Sequence, residues 1–144
     1  TCALPISAAK HDELLARGAV EMVDRGASLV DRFGRDAFDV VIDVVGGETW
    51  PDLLQVLRPG GRYAVSGAIA GPIVELDLRT LYLKDLTLFG CTVLGAGVFA
   101  GLVERIERGE VHPVVAVTYP LERIAEAQQA FVAKGHVGKI VLAV

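Results

Sequence analysis

Three short glycine-containing segments follow apolar runs, and their residue types suit a ligand that lies flat against the backbone. They are Asp43, Val44, Val45, Gly46 and Gly47, then Ser66, Gly67 and Ala68, and finally Phe89, Gly90, Cys91 and Thr92. In an open α/β sheet, ligands bind at the carboxyl ends of the strands, and glycine leaves room for a close approach. We therefore predict one binding site built from all three segments. The alternative for each is an ordinary strand-to-helix turn, which also favours glycine.

A hydroxyl and an ammonium group lie close together near the N-terminus, on Ser7 and Lys10. At the start of a helix such groups can hold a phosphate, because the positive end of the helix assists them. The alternative is a solvated lysine at a helix start.

Two aspartates, Asp39 and Asp43, are four residues apart in a predicted strand and so share a face if the strand is regular. We expect no catalytic dyad from them, and we expect Asp39 to end a turn. Cys91 follows an apolar run, where a cysteine is most often a small buried residue.

No metal site is predicted from the spacing of the histidines and cysteines. His11, His112 and His136 are far apart with no HExxH spacing, and neither Cys2 nor Cys91 belongs to a CxxC pair. We expect all three histidines to lie at the surface.

The composition indicates a globular domain. The chain has 144 residues, of which 52% are hydrophobic and 22% charged, with a net charge of -4. This balance excludes a disordered chain and argues against nucleic acid as a partner. The apolar runs fall far short of the roughly 20 residues that cross a bilayer, so no membrane partner is expected. Two cysteines cannot form a disulfide framework, which favours a reducing, cytoplasmic location.

Short β-branched apolar runs alternate with amphipathic stretches, which predicts an α/β fold with a parallel sheet. The predicted strands are 19–23, 38–45, 62–66, 86–92, 114–119 and 139–143, and the predicted helices are 10–17, 27–35, 48–57, 76–83, 94–108 and 121–133. The run 38–45 is apolar enough to be buried on both faces. Arg58 to Gly61 is predicted as a compact turn, and a topological boundary is expected near Thr92 to Gly97.

The first seven residues are unlike the rest of the chain. Thr1 to Ile6 resembles a translated sequencing adapter, with Ser7 at the join. We interpret residues 1–7 as a non-native scar, so that native sequence begins near Ala8 and the start of the protein is missing. The alternative is an unusual N-terminal loop.

Four longer motifs occur in an order that is familiar from one superfamily. They are FDVVIDVVGG from Phe38, LRPGGRYAVSGAIAG from Leu57, LTLFGCTVLG from Leu86 and YPLERIAEAQQAFVAKGHVGKIVL from Tyr119. Together they resemble the C-terminal half of the medium-chain dehydrogenase/reductase superfamily, closest to its quinone oxidoreductase-like and zinc-binding alcohol dehydrogenase branches. The resemblance covers Ala8 to Val144.

The resemblance implies a doubly wound Rossmann domain that binds a nicotinamide dinucleotide. Ser7 and Lys10 match the place where NADPH-preferring members hold the 2′-phosphate, which implies NADP(H) rather than NAD(H). The segments Asp43–Gly46 and Ser66–Ala68 match loops around the nicotinamide half, and Phe89–Cys91 match backbone that faces the carboxamide.

The resemblance also implies a division of the chain and a larger protein. Residues 8–110 match the C-terminal part of the Rossmann domain, and residues 111–144 match a segment that packs on a GroES-like catalytic domain, where any zinc would lie. Residues 86–92 match the edge through which homodimers form. The first Rossmann strand and its GxGxxG turn are absent from the sequence. We therefore expect the strand near Ala19 to be separated from the strand near Val40, whose apolar edge would be unpaired.

The function implied is hydride transfer from NADPH to a quinone or an α,β-unsaturated carbonyl, with these 144 residues inactive alone. Zinc-dependent alcohol oxidation and a non-catalytic dinucleotide-binding or structural module stay open as alternatives. An S-adenosylmethionine-dependent methyltransferase is disfavoured, since a helix rather than an antiparallel strand pair is predicted after residue 92.

Overall fold

A computed structural model describes residues 2–3, 10–24 and 26–144. Ser7, one of the predicted site residues, lies outside this part. The chain divides into two compact units, Thr1–Val93 and Leu94–Val144. Within the part that the structure describes, no helix is long and apolar enough to cross a membrane.

The first unit holds two parallel sheets. Its strands are β1 (Cys2–Ala3), β2 (Glu21–Met22), β3 (Phe38–Asp43), β4 (Leu57–Val65) and β5 (Thr87–Gly90), and its helices are α1 (His11–Ala16), α2 (Leu29–Phe33), α3 (Trp50–Val56) and α4 (Leu78–Leu83). Strand β1 pairs with β2, and a separate sheet has the order β3-β4-β5. Helices alternate with parallel strands, which confirms the predicted α/β class.

The second unit is smaller. It contains α5 (Ala96–Glu107), β6 (Val115–Pro120), a short 3₁₀ turn (Leu121–Arg123), α6 (Ile124–Ala133) and β7 (Lys139–Ala143). Strands β6 and β7 are parallel neighbours. The predicted final helix and strand are both present, and β7 has the predicted bounds.

The core of the first unit lies between α3 and β4. Pro51 suits the first turn of α3, where its missing N–H is not needed. The helical spacing of the apolar residues turns Leu53 and Leu54 inward, and Leu57 at the start of β4 is fully buried. The Lys84 Nζ atom donates to the carbonyl oxygens of Leu54 and Gln55 at 3.0 Å each. This lysine therefore satisfies carbonyl groups at the end of α3.

The predicted turn at Arg58 to Gly61 is part of β4 rather than a separate connection. Phe38 of β3 pairs with Leu57, and Val40 pairs with Arg62, so the residues between them bulge out of the ladder. The expectation that Asp39 ends a turn was wrong. Asp39 lies within β3, and its carboxylate pairs with Arg58 of the bulge at 2.5 Å. The Arg58 side chain holds the pKa of the Asp39 carboxyl below its usual value.

Strand β3 is not buried on both faces as its sequence predicted. Val40 is 43% exposed and Ile42 is 70% exposed. The physical reason is that β3 is an edge strand whose one partner in the described sheet is β4. Strand β2 pairs elsewhere, which confirms the predicted separation of the strand near Ala19 from the strand near Val40.

Candidate functional site

Asp43, the last residue of β3, anchors the loop that follows it. Its side chain is 5% exposed, and its Oδ1 atom accepts hydrogen bonds from the amides of Val45 at 2.7 Å and Gly46 at 3.0 Å. Its Oδ2 atom accepts a third bond from the Tyr63 hydroxyl at 2.5 Å. Both oxygens of the carboxylate therefore accept hydrogen bonds, and its role is to hold the backbone at Val45 and Gly46 in place.

The loops after β3 and β4 are bonded directly to each other. The Ala70 amide donates to the Val45 carbonyl at 2.8 Å, and the Gly47 amide donates to the Gly71 carbonyl at 3.1 Å. Gly46 and Gly71 form an isolated parallel bridge. The two loops are therefore linked by backbone hydrogen bonds at more than one point.

The glycines of these two loops also lie against neighbouring backbone. A Cβ atom on Gly46 would lie 2.8 Å from the Gly71 carbonyl oxygen, and one on Gly67 would lie 2.8 Å from that of Val44. Both glycines are needed because another backbone segment occupies the side on which a Cβ atom would lie. At Gly90 a Cβ atom would meet nothing within 4 Å, so this glycine does face open space.

An open cleft of about 490 Å³ lies beyond the ends of β4 and β5. It is lined by Val65, Ser66, Gly67, Ala68, Gly90, Cys91, Thr92 and Val93. The Cys91 amide donates to the Val65 carbonyl at 2.8 Å, which holds the two sides together at the base. The cleft brings together the second predicted segment with Gly90, Cys91 and Thr92 of the third. It does not include Asp43, Val44, Val45 or Gly46, nor Phe89; Gly46 and Phe89 line a second cavity instead.

Val65 and Val93 line the cleft but were missed from the sequence. Val65 directly precedes the second predicted segment, and Val93 directly follows Thr92, the last residue of the third. The signal that could have found them is the parallel pairing itself, because Val65 pairs with Gly90 at the end of the ladder.

The expectation that Cys91 is buried was wrong. Its side chain is exposed, since β5 ends at Gly90 and Cys91 begins the following loop. Phe89, one residue earlier, is 46% exposed.

The cleft offers neutral hydrogen-bonding groups. Among the described residues, the amides of Gly67 and Ala68 donate to no other group, and the Ser66 hydroxyl makes no hydrogen bond. No Asp, Glu, His, Lys or Arg side chain lines the cleft, and the Cys91 thiol is the titratable group among its lining residues. The arrangement therefore suits a flat neutral group with its own acceptor, and it supplies no carboxyl, imidazole or ammonium group as a general acid or base.

A second cavity of about 260 Å³ lies beside the first and is mainly apolar. Trp50 and Tyr63 line it with their rings edge to face, 4.8 Å between centroids. Their polar atoms are already used, because Trp50 Nε1 donates to the Glu75 carbonyl at 2.9 Å and Tyr63 donates to Asp43. Burial raises the pKa of the Tyr63 phenol, and the bond to Asp43 raises it further.

The remaining candidates lie outside the cleft. Lys10 directly precedes α1 and is half-buried. His112 is exposed, whereas His11 and His136 are half-buried. In the described ranges, no three His, Cys, Asp or Glu side chains are grouped so that they could hold a metal ion. These residues therefore do not fit a zinc site.

Two curated proteins are similar to this chain over most of its length. Quinone oxidoreductase of Mus musculus is 34% identical over 111 residues, which is 72% of this chain and 33% of that protein. Acryloyl-coenzyme A reductase of Metallosphaera sedula is 31% identical over 119 residues, which is 81% of this chain and 36% of that protein. The chain spans only about a third of the length of these relatives.

Solved structures show the same likeness in three dimensions. A protein of Sinorhizobium meliloti 1021, provisionally assigned as an alcohol dehydrogenase, is 43% identical with a TM-score of 0.85, covering 99% of this chain and 40% of that one. An NAD-dependent alcohol dehydrogenase is 27% identical with a TM-score of 0.81, covering 99% and 43%. The parallel sheet is thus part of a Rossmann-like fold.

The family of zinc-binding dehydrogenases matches residues 17–142, which is most of the chain. The order of the strands, the sequence motifs and these similarities all indicate the same family. The chain belongs to the zinc-binding dehydrogenase family of the medium-chain dehydrogenase/reductase superfamily.

Proposed function

We propose that this chain supplies the nicotinamide-binding part of an NADPH-dependent oxidoreductase that transfers hydride to a quinone or an α,β-unsaturated carbonyl. The observation that carries the proposal is the cleft at the ends of two adjacent parallel strands, with unused amides at Gly67 and Ala68 and no side chain at Gly90. The similar quinone oxidoreductase and acryloyl-coenzyme A reductase support the acceptor class.

The bound cofactor would supply the hydride, and this chain would bind and orient it. The amides of Gly67 and Ala68 would donate to the carboxamide oxygen of the nicotinamide, and Gly90 would let the ring lie against the backbone. Because no carboxyl, imidazole or ammonium side chain lines the cleft, we expect the proton donor to the substrate to come from elsewhere in the protein.

A preference for NADPH over NADH rests on Ser7 and Lys10, which would hold the 2′-phosphate. The affinity of the chain for both cofactors tests this. Lys10→Ala should lower the preference for NADPH about tenfold, as expected for one charge-assisted hydrogen bond. Lys134→Ala, in the second unit, should leave the preference unchanged. Equal affinities in the unaltered chain would contradict the NADPH assignment.

Zinc-dependent alcohol oxidation is the second candidate, favoured by the family and by the similar alcohol dehydrogenases. The described residues fit no metal ion, so zinc ligands would have to lie elsewhere in the protein. Metal analysis of the protein in which this chain occurs separates the two candidates, since tightly bound zinc that is required for alcohol oxidation would favour the second. A non-catalytic dinucleotide-binding module is the third candidate, and it would bind cofactor without reducing any acceptor.

We also propose that the 144 residues alone do not catalyse the oxidation of NADPH. The sequence has no GxGxxG turn for a pyrophosphate, and no carboxyl, imidazole or ammonium side chain lines the cleft to act on the substrate. Mixing the purified chain with NADPH and 1,4-benzoquinone, or with acryloyl-coenzyme A, should give no NADPH oxidation above the uncatalysed rate. Robust turnover would refute this proposal.

We propose that the protein forms a homodimer through β5. We also propose that it is located in the cytoplasm. Strand β5 is an edge of the described three-stranded sheet, so its outer backbone groups are available for another strand. Light scattering on the protein should give the mass of a dimer, and a monomer at all concentrations would contradict it.

NADPH binding tests the proposed function itself. Trp50 is the single tryptophan of the chain, and it lines the cavity next to the cleft. Excitation of Trp50 should therefore give sensitised emission from bound NADPH, saturating with concentration. Absence of saturable binding would remove the basis of the proposal.

A further inference from the structure

We propose that Tyr63 is a positioning residue for the cleft, acting through Asp43 on the loop at 44–47 and from there on the loop at 66–71. The proposal deepens the proposed function, and it rests on that function only for its cofactor measurement. The backbone effect of Tyr63 can be measured without any ligand.

The first step is the contact between the two side chains. Tyr63 is 1% exposed and Asp43 is 5% exposed, and they lie on adjacent strands. The Tyr63 hydroxyl donates to Oδ2 of Asp43 at 2.5 Å. A buried carboxylate is costly unless its oxygens are satisfied, so this hydroxyl fixes which way the carboxylate turns.

The second step runs from Asp43 to the backbone. With Oδ2 held by Tyr63, Oδ1 points at the amides of Val45 and Gly46 and accepts both bonds. Gly46 has a φ of +64°, which is in the left-handed region. The carboxylate therefore stabilises a loop conformation that the backbone adopts only with a glycine at this position.

The third step connects this loop to the wall of the cleft. Val45 accepts from the Ala70 amide at 2.8 Å, and the Gly71 amide donates to the Ala68 carbonyl at 3.2 Å. The Ser66 amide donates to the Asp43 carbonyl at 2.9 Å. Ser66 is thus held by the Asp43 main chain, and the loop at 66–71 is held through Ala70 by Val45, whose amide the Asp43 carboxylate binds.

Tyr63 also fills space in the core, and the test must separate that role from positioning. Tyr63→Phe keeps the ring and its edge-to-face contact with Trp50 while it removes the hydroxyl. Tyr82→Phe is the matched control, because Tyr82 is 61% exposed and lies on α4. Any effect confined to the first substitution belongs to the buried hydroxyl.

Amide hydrogen exchange on the full chain provides the measurement. Tyr63→Phe should speed exchange about tenfold or more at Val45, Gly46, Ala70 and Gly71, as expected for the loss of a hydrogen bond to a charged group. Exchange in the β6 and β7 pair should stay unchanged, and Tyr82→Phe should change none of these amides. Unchanged exchange at the four amides would overturn the proposal, and so would equal acceleration throughout the first unit.

A conservative substitution of Asp43, the hydrogen-bond partner of Tyr63, adds a second test. In Asp43→Asn the side-chain oxygen can still accept from Val45 and Gly46, and the amide nitrogen can donate to the Tyr63 oxygen. Exchange at the four amides should therefore stay within about threefold of the unaltered chain. If Tyr63→Phe does not fold, the double variant with Asp43→Asn carries no unpaired buried charge, and it should exchange faster at these amides than Asp43→Asn alone. Equal exchange in that comparison would overturn the proposal.

NADPH titration of the same variants links positioning to the cleft. Tyr63→Phe should raise the dissociation constant for NADPH several-fold, whereas Tyr82→Phe should not. An unchanged constant despite faster loop exchange would overturn the link to the cleft. If the unaltered chain binds no NADPH, the proposed function fails, while the exchange data still decide whether Tyr63 positions the loops.

Discussion

Gly67 and Gly90 lie near the ends of adjacent strands but in opposite surroundings. A Cβ on Gly67 would lie 2.8 Å from the Val44 carbonyl, whereas one on Gly90 would meet nothing within 4 Å. Gly67→Ala should therefore lower the free energy of unfolding by about 1–3 kcal/mol, as overpacking does. Gly90→Ala should change it by less than about 0.5 kcal/mol yet weaken NADPH binding. Urea unfolding and NADPH titration check the pair, and equal stability losses would contradict this assignment of roles.

The phenol of Tyr63 gives the chain a dependence on alkaline pH. Burial raises its pKa, and the Asp43 carboxylate acts in the same direction. The folded chain keeps this proton where the unfolded chain, with a tyrosine pKa of about 10, releases it. The resulting stability is complete below about pH 10 and is lost as the pH rises further. The free energy of unfolding should fall more steeply above about pH 10 in the unaltered chain than in Tyr63→Phe. Parallel curves would show that the folded state does not hold the proton.

At this scale, contacts between side chains and backbone that are distant in sequence could not be predicted. The sequence placed Asp43 in the candidate site, but its hydrogen-bond partner Tyr63 is 20 residues away. The pairing of β3 with β4 brings the two side chains together. Glycine type alone cannot tell Gly46, which meets other backbone, from Gly90, which faces open space. Cys91 was expected to be buried because the strand end could not be located to one residue.

Helix α3 supplies several of the buried core residues of the first unit, which are Trp50, Leu53, Leu54 and Val56. Leu54 on its inner face is 3% exposed, whereas Leu78 at the start of α4 is 65% exposed. Leu54→Ala should cost about 2–5 kcal/mol because it leaves a cavity beside β4. Leu78→Ala should cost less than about 0.5 kcal/mol. Chemical unfolding measures both, and a small effect at Leu54 would mean that α3 does not pack as described.

Strand β3 exposes an apolar edge that should promote self-association. Ile42 is 70% exposed on this strand. Ile42→Lys should reduce self-association in light scattering with no loss of thermal stability, since charge on an edge strand opposes further pairing. Leu78→Lys, equally exposed but on a helix, should have little effect on association. A marked loss of stability in Ile42→Lys would show that this side chain is buried against another part of the chain.

Most helices and strands were predictable because the spacing of their apolar residues is regular. The predictions that were wrong concern features that depend on which strands pair with each other. The apolar run at 38–45 predicted burial on both faces, yet a strand's burial depends on its neighbours, and β3 has one in its sheet. The bulge at Arg58 to Gly61 looked like a turn because its composition is that of a turn. Its place within β4 follows from the register with β3.

At the scale of the whole molecule, the motif order was sufficient to identify the superfamily, and the family match over residues 17–142 confirms it. The choice between NADP(H) and NAD(H) was less predictable from the sequence than the superfamily. Ser7 lies outside the described residues and Lys10 lies apart from the cleft lining, so the phosphate and nicotinamide ends of the proposed site must be tested separately.

Hydrogen exchange of the chain with and without NADPH tests the central claim most directly. The account predicts slower exchange at Gly67, Ala68, Thr92 and Val93 when NADPH is bound. Reduced nicotinamide mononucleotide should reproduce this protection, and adenosine 2′,5′-bisphosphate should not, because only the former carries the ring that the cleft would hold. Protection by NADPH that leaves these four amides unchanged, or protection by the adenosine half alone, would contradict the claim that this cleft binds the nicotinamide.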